Sequence, residues 1–354
     1  MDKIQKIMAR WNALLPLSER DRELLSRRFT IDFNYNSNHI EGNTLTYGQT
    51  EILLLFGKIV GEAEAKDVQE MTASNVGLKM MKEEAQLKDI PLTQHFIRTL
   101  HKTLLREDYT VFRNLPGGQT TSYTIHAGIY KTRPNSVITR YGDRFEYASP
   151  EETPALMGDL VEWYNEAEKS GKYTPVELAA MFHYRYIRIH PFEDGNGRIA
   201  RLMANYILSR HDYPMIVVRS RKKNEYLEAL HKTDLTVGAA PSLGAHASKR
   251  EIQQFLTCFS NLFVEEVSYN ISFLTERGEN VWWFDGERVK FRSATTSQML
   301  NLMYSKPDIT IPCLSENIGI NIASVNKQIK QLTTKGYIQR ASNGNWRLII
   351  TPSI

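Results

Sequence analysis

Hydrophobic residues recur at three- and four-residue intervals along most of the chain, the spacing that lines one face of an α-helix, and three regions emerge from the pattern. Residues 1 to about 90 read as helices, broken at "SNHIEGNTLT" and resuming through "YGQTEILLLFGKIVGEAEAKDVQEMTASNVGLKMMKEEA". After Pro91, Thr93 stands where an N-cap for "LTQHFIRTLHKTLL" belongs. The next stretch, "LPGGQTTSYTIHAGIYKTRPNSVITRYGDRFEYASPEE", is rich in Gly, Pro and β-branched residues. Within it "SVITRYGDRFEY" predicts a hairpin around Gly142 and Asp143. Helices resume at "TPALMGDLVEWYNEAEKS" and "TPVELAAMFHYRYIRIH", where Thr174 caps, Pro175 fits the first turn and Glu177 completes a capping box. Further helices fill most of 197–275, and the character changes at Ser293.

From 293 to 354 the pattern is helix, short link, helix, turn, then a third helix with Ile322, Val325, Ile329 and Leu332 as its apolar stripe, and two strands around "SNGN". This resembles a winged helix-turn-helix, whose third helix reads the major groove in DNA-binding members. Lys327, Lys330, Lys335 and Arg340 are available to phosphates, but the helix is rich in Gln and Asn and poor in Arg. DNA binding and protein docking or dimerisation both stay open.

The chain has 354 residues, enough for two or three cores, with a net charge of +4 and 24% charged residues of both signs. That balance is too mild to force a nucleic-acid partner. Two cysteines, Cys258 and Cys313, lie far apart without metal-ligand spacing and are expected to be inert buried thiols. No apolar run reaches transmembrane length, and the N-terminus lacks a signal peptide's apolar core, so a cytoplasmic protein with no membrane partner is expected.

Two placements conflict with the helix dipole. In "SNHIEGN", Gly42 marks a helix end and puts Glu41 in the last turn, where the carbonyls already carry partial negative charge. In "HPFEDGNGRIARLMANYILSR", a helix from Pro175 stops at His190 before Pro191, and a new one opens after an acidic, Gly-rich turn. Such a turn points backbone N–H groups at one spot and makes an anion site. Arg198 and Arg201 share a face of that helix start, where cations are disfavoured unless an anion or acid meets them. Asp194 offers a carboxylate to a divalent cation, and His190 a group of near-neutral pKa able to take a proton. Base, magnesium and polyphosphate describe transfer of a phosphorus group from a nucleotide.

"HPFEDGNGRIAR" resembles the Fic (Fido) signature HPFx(D/E)GNGRxxR at every specified position. The resemblance spans 1 to about 275 and implies a mainly α fold: a helical bundle with a β-hairpin flap. It divides the chain into an N-terminal helical region (1–92), a catalytic core (93–275), a linker (276–292) and the winged helix (293–354). It implies AMP transfer from ATP to a protein Ser, Thr or Tyr hydroxyl, with Mg²⁺ as cofactor. His190 would be the base, Phe192 the loop's anchor and Asp194 the metal ligand. The backbone at Gly195, Asn196 and Gly197 and the Asn196 side chain would cradle phosphate, with Arg198 on the β- and Arg201 on the γ-phosphate. Tyr226 would stand on the adenine side, where Asp234 falls in place of a relative's asparagine. Val137, Ile138 and Thr139 would hold the target by β-augmentation. "SNHIEG" resembles the family's inhibitory motif (S/T)xxxE(G/N), with Ser37, Glu41 and Gly42 in place, so that Glu41 would pair with Arg201 and deny it to the γ-phosphate. The expected partners are ATP and a protein target, the chain itself included, with a homodimer and DNA left open.

Overall fold

The computed structural model describes residues 2–114, 120–138, 144–276, 278–291, 293–341 and 344–353. In chain order its elements are α1 (Lys3–Asn12), α2 (Glu19–Ile40), α3 (Tyr47–Phe56), α4 (Ala65–Gln86), α5 (Gln94–Leu105), β1 (Tyr109–Asn114), β2 (Thr120–Ile125), β3 (Ser136–Ile138), β4 (Arg144–Glu146), α6 (Thr153–Ser170), α7 (Pro175–Ile189) and α8 (Asn196–Arg210). After a short 3₁₀ turn follow α9 (Lys223–Val237), α10 (Pro241–Ala245), α11 (Gln253–Thr275), β5 (Gly278–Phe284), β6 (Glu287–Val289), α12 (Ala294–Ser305), α13 (Ile311–Ile318), α14 (Ile322–Thr334), β7 (Ile338–Arg340), β8 (Trp346–Leu348) and β9 (Thr351–Ser353).

The chain separates into two compact units. One is Asn36–Asn43 with Gln69–Val264, and α7 is its centre. Most of α7 is buried, with Arg185 and Arg188 satisfied by backbone carbonyls, so it is an interior helix, and Ala179, Met181, Phe182, Tyr186 and Ile189 are fully buried against α6, α8 and α10. Its start follows the expected chemistry: Thr174 and Glu177 form a reciprocal capping box with Pro175 in the first turn. Thr93 likewise caps α5 by accepting from the Phe96 N–H. The far end of α8 is held by Arg210, whose guanidinium meets Glu168 at 2.7 Å and donates to the carbonyls of Leu87, Lys88 and Ile90.

Burial alone would raise the Glu168 carboxyl, but bonds from His211, Arg210 and Tyr164 outweigh it and hold its pKa at about 2. A carboxyl depressed on folding contributes stability above its unfolded pKa and loses it as pH falls from about 4.5 towards 2. Glu168→Gln is therefore expected to lower the melting temperature at pH 7 and to flatten its fall across that window. Parallel acid titrations of the two proteins by circular dichroism check this.

The other unit comprises Met1–Tyr35, Thr44–Val68 and Glu265–Ile354. Its main core gathers Trp282, Met299, Leu300, Met303, Leu314, Val325, Leu332, Ile338 and Trp346. The three C-terminal helices and the β7–β8 ribbon give the winged helix its expected order, with Asn321 capping α14. Three expectations change. Residues 276–292 are not a bare linker: β5 pairs antiparallel with β6 and with the last strand β9, and Trp282 is buried in the core. Ile322 is 48% exposed at the first turn of α14, so the stripe's buried part begins at Val325. Cys313 is exposed and Cys258 half-buried, which corrects the expectation of two buried thiols.

The N-terminal helices also divide differently from one resumed run. Gly57 takes φ +63° and ends α3, leaving 57–64 outside any helix before α4. The hairpin expected at 136–147 is present as β3–β4, with Val137 opposite Phe145 and Ile138 opposite Arg144. Thr139, Gly142 and Asp143 lie outside the described residues. A second hairpin, β1–β2, precedes it.

Candidate active site

The signature closes α7 and opens α8, and local chemistry explains both ends. His190, pushed out of the helix by Pro191, sits in the left-handed region at φ 52° and ψ 60°. Gly195 is also left-handed, at φ 76°, and caps α8. Between them the loop is stitched to itself. Asn196 accepts from the Phe192 N–H at 3.0 Å and donates to the Phe192 carbonyl at 2.7 Å. Both polar atoms of its side chain are thereby engaged inside the loop, with one N–H of the amide beyond those two bonds. The helix-start N–H groups remain the anion-directed part.

Phe192 is fully buried and stacks on His101, with centroids 3.7 Å apart and planes 2° from parallel. His101 does more than pack. Its Nδ1 accepts from the Gly128 N–H at 2.9 Å, which leaves Nε2 as the donor to the Asp194 carbonyl at 3.0 Å. Burial holds this ring neutral, at about 4.

Asp194 Oδ2 accepts from the Tyr109 hydroxyl at 2.8 Å and lies 3.3 Å from Arg198. Burial works against ionisation of this carboxyl, yet Arg198 and the Tyr109 bond keep its pKa below the ordinary range. No cluster of three or more His, Cys, Asp or Glu side chains able to hold a metal occurs among the described residues. Mg²⁺ travelling with a nucleotide asks for less, one or two carboxylates plus substrate phosphates, and the ionised Asp194 fits that requirement. The Arg198 Nε is buried without a partner, a donor left over for an anion.

The conflicting acid and base meet. Arg201, 3% exposed, donates Nη2 to Glu41 Oε1 at 2.6 Å and to the Ser37 carbonyl at 2.8 Å, and Nε to Ser37 Oγ at 2.9 Å. Burial would raise the Glu41 carboxyl, but Arg201 and then Arg198 hold it below its ordinary value. α2 ends at Ile40, one residue before Glu41, and Gly42 turns at φ +101°. Lys223 caps the freed Ile40 carbonyl at 2.6 Å. Gly197 leaves room for the pair, since a Cβ there would stand 2.5 Å from Glu41 Oε1.

His190 faces the same space. Its imidazole stacks on Tyr147 at 3.9 Å, and burial with the Lys131 ammonium brings its pKa down to about 3, so the ring is neutral at pH 7. A cavity of about 600 Å³ is lined by Glu41, His190, Gly197, Arg201, Phe145, Tyr147 and, from α9, Lys223, Tyr226, Leu230 and Asp234. That volume suits a nucleotide-sized ligand. Tyr226 lines it with its hydroxyl on His183 Nε2 at 2.9 Å and its ring against Phe255. Asp234 Oδ1 accepts from Tyr184 at 2.8 Å and meets Arg188 at 3.3 Å. Of the flap positions, Val137 and Ile138 lie on β3, whose partner β4 supplies Phe145 to the wall.

Sequence reasoning missed Tyr109, His101, Lys131 and Tyr147. The first three act on the loop's backbone or on Asp194, and each is brought there from more than fifty residues away. No spacing in the sequence could signal that.

The fold and site define a helical-bundle protein with an acid-guarded, anion-directed helix start beside a half-buried histidine. A sequence model described as "Fic/DOC family" matches residues 91–208, and one described as "Winged helix-turn-helix DNA-binding" matches 292–339. The crystal structure of a Fic domain containing signaling protein from Bacteroides thetaiotaomicron is 50% identical, with a TM-score of 0.71, covering 77% of this chain and 96% of that one. The chain belongs to the Fic/DOC family. A Fic family protein from Desulfovibrio desulfuricans shares the fold over 98% of this chain at 19% identity and a TM-score of 0.57. Among curated proteins, the protein adenylyltransferase fic-1 of Caenorhabditis briggsae is 29% identical over 201 residues. The match takes in 57% of this chain but only 36% of that relative's length. Among the described residues, no helix is long and apolar enough to cross a membrane.

Proposed function

We propose that the chain is a self-inhibited protein adenylyltransferase, moving AMP from ATP to a Ser, Thr or Tyr hydroxyl of a protein. The observation that carries the reading is the shared cavity: a neutral, half-buried histidine and an arginine occupied by the acid just past α2 face one nucleotide-sized space. The adenylyltransferase names of several relatives support it. The target hydroxyl oxygen forms a bond to the α-phosphorus, the bond from that phosphorus to the bridging oxygen breaks, and pyrophosphate leaves. His190 takes the hydroxyl proton. Helix-start N–H groups and Arg198 bind the phosphates, and Arg201 binds the γ-phosphate once Glu41 has left it. Mg²⁺, when present, neutralises phosphate charge, and Asp194 is the residue to hold it. β3 offers the target's backbone an edge.

Protein labelling with α-³²P-ATP and γ-³²P-ATP tests this in the Glu41→Gly variant, which frees Arg201. Label from the α-phosphate alone is expected. Label from γ alone would replace AMP transfer with phosphorylation. No label from either sends the search to another donor or to removal of AMP from a modified protein.

The winged helix favours a second reading, a regulator that senses nucleotide in the bundle and binds DNA. Asn326, Lys327 and Lys330 lie exposed on α14. It predicts sequence-selective binding that weakens steeply with salt, and a mobility-shift series with no shift at low salt removes it.

A further inference from the structure

We propose that Lys131, with Asn135, is the positioning clasp of this site, fixing the backbone around His190 and tying it to the root of the β3–β4 hairpin. The proposal rests on the adenylyl-transfer reading above. Four consecutive carbonyls, that of Ile189 and the first three of the signature, are received by this one short segment. Lys131 Nζ donates to Ile189 O at 3.1 Å and His190 O at 2.9 Å, the Lys131 N–H donates to Pro191 O at 2.9 Å, and Asn135 Nδ2 donates to Phe192 O at 2.9 Å. The third ammonium donor goes to Asn135 Oδ1 at 2.8 Å, which couples the two clasp residues. Thr132 adds its N–H and hydroxyl to Glu193 Oε1 at 3.2 and 3.1 Å.

The need for such a clasp follows from the backbone. A left-handed, non-glycine His190 before a proline is an unfavourable conformation that persists only when its surroundings over-determine it. Asn135 stands immediately before β3, and its carbonyl accepts from the N–H of Tyr147, whose ring covers the His190 imidazole. The clasp therefore holds the ring's cover and the candidate target strand together with the base.

The choice of a lysine adds a second effect. Lys131 is 3% exposed, and among the described residues no carboxylate bonds to it, an unusual setting for a buried ammonium. Glu152, at the start of α6, favours its charge, while burial brings its pKa down to about 7. Facing His190 are Lys131, which disfavours the imidazolium, and Glu41 and Asp194, which favour it. The same side chain that fixes the base's backbone thus helps keep the base unprotonated.

The test compares Glu41→Gly alone with Glu41→Gly carrying Lys131→Met, Lys131→Arg or Asn135→Ala. Melting temperature, ATP affinity, turnover with α-³²P-ATP and the NMR titration of the His190 ring are measured for each. Lys131→Met is expected to keep ATP affinity within about threefold while turnover drops ~100-fold, the usual scale for a misplaced catalytic group. The His190 titration should move to higher pH, because a neighbouring cation has gone. Lys131→Arg keeps the charge but cannot place a planar fork on the same three oxygens, so turnover falls while the titration stays low. A folded Lys131→Met with the parent's turnover, an equal loss of affinity and turnover, or an unmoved His190 titration would overturn the proposal. Should Lys131→Met fail to fold, Asn135→Ala, which removes the Phe192 contact, carries the same affinity-against-turnover comparison. If the Glu41→Gly parent transfers no AMP, the functional reading fails, and the His190 titration still decides whether Lys131 acts on the ring.

Discussion

Glu41→Gly is expected to raise AMP incorporation into protein by ten- to a hundredfold over the unaltered chain. The Arg201 guanidinium is buried, and three of its bonds go to Ser37 in the last turn of α2 and to Glu41 just past it, the shortest of them to Glu41. On the proposed function, the γ-phosphate would find its arginine occupied while that bond stands, and a nucleotide in the cavity would settle with its α-phosphorus out of line with the incoming hydroxyl. Misplacement on the order of 1 Å costs ~100-fold in rate, which sets the scale of the expected release. The gain should appear in turnover more than in the amount of nucleotide bound, since Arg198 and the start of α8 remain available. Ser37→Ala removes one of the three bonds and should activate less than Glu41→Gly. Autoradiography of the purified protein and of added lysate with α-³²P-ATP reads all three proteins in parallel. Equal labelling of Glu41→Gly and unaltered chain would mean that the Glu41–Arg201 contact is not the brake.

His190→Ala in the Glu41→Gly background should remove that activity, by ~10²- to 10⁴-fold for a lost general base. The pH dependence is the sharper test. Burial and Lys131 hold the imidazole at about 3, far below an ordinary histidine, and Glu41 is one of the groups pulling it upward. Removing Glu41 therefore lowers the base further, and its deprotonated form is lost only when pH falls through that depressed value. Transfer by Glu41→Gly should stay level from about pH 6.5 to about pH 5.5, where Lys131 is largely charged and an exposed histidine near its ordinary value would already have lost most of its function. A rate that falls away near pH 6.5 would show that burial and Lys131 do not control the base in the working enzyme.

Much of this was legible in the residues, for physical reasons that can be named. Thr174, Pro175 and Glu177 announce a helix start through chemistry confined to four neighbouring residues, and the capping box is there. His190 before Pro191 announces the helix end in the same local way. The winged helix was legible because the apolar spacing of α14 and the two strands around "SNGN" are also short-range signals. Reading 276–292 as a linker failed because β5 finds its partner β9 at the far end of the chain, and a strand's pairing leaves little trace in its own sequence. That Asn196 also closes the loop onto Phe192 was not legible, since the signature says nothing of contacts within the loop.

The sequence by itself placed Glu41 at the C-terminal end of α2 and Arg198 and Arg201 in the first two turns of α8, ends whose dipole disfavours those charges. It also determined the order of the signature loop, whose Pro and Gly residues restrict the backbone wherever they occur. Only the tertiary structure decided that Glu41 and Arg201 are each other's partners, that His101, Tyr109 and Lys131 hold the loop, and that the histidine's proton affinity is so low. Those are properties of distance and burial, and the chain brings residues more than fifty positions apart within hydrogen-bond reach only once its helices have packed.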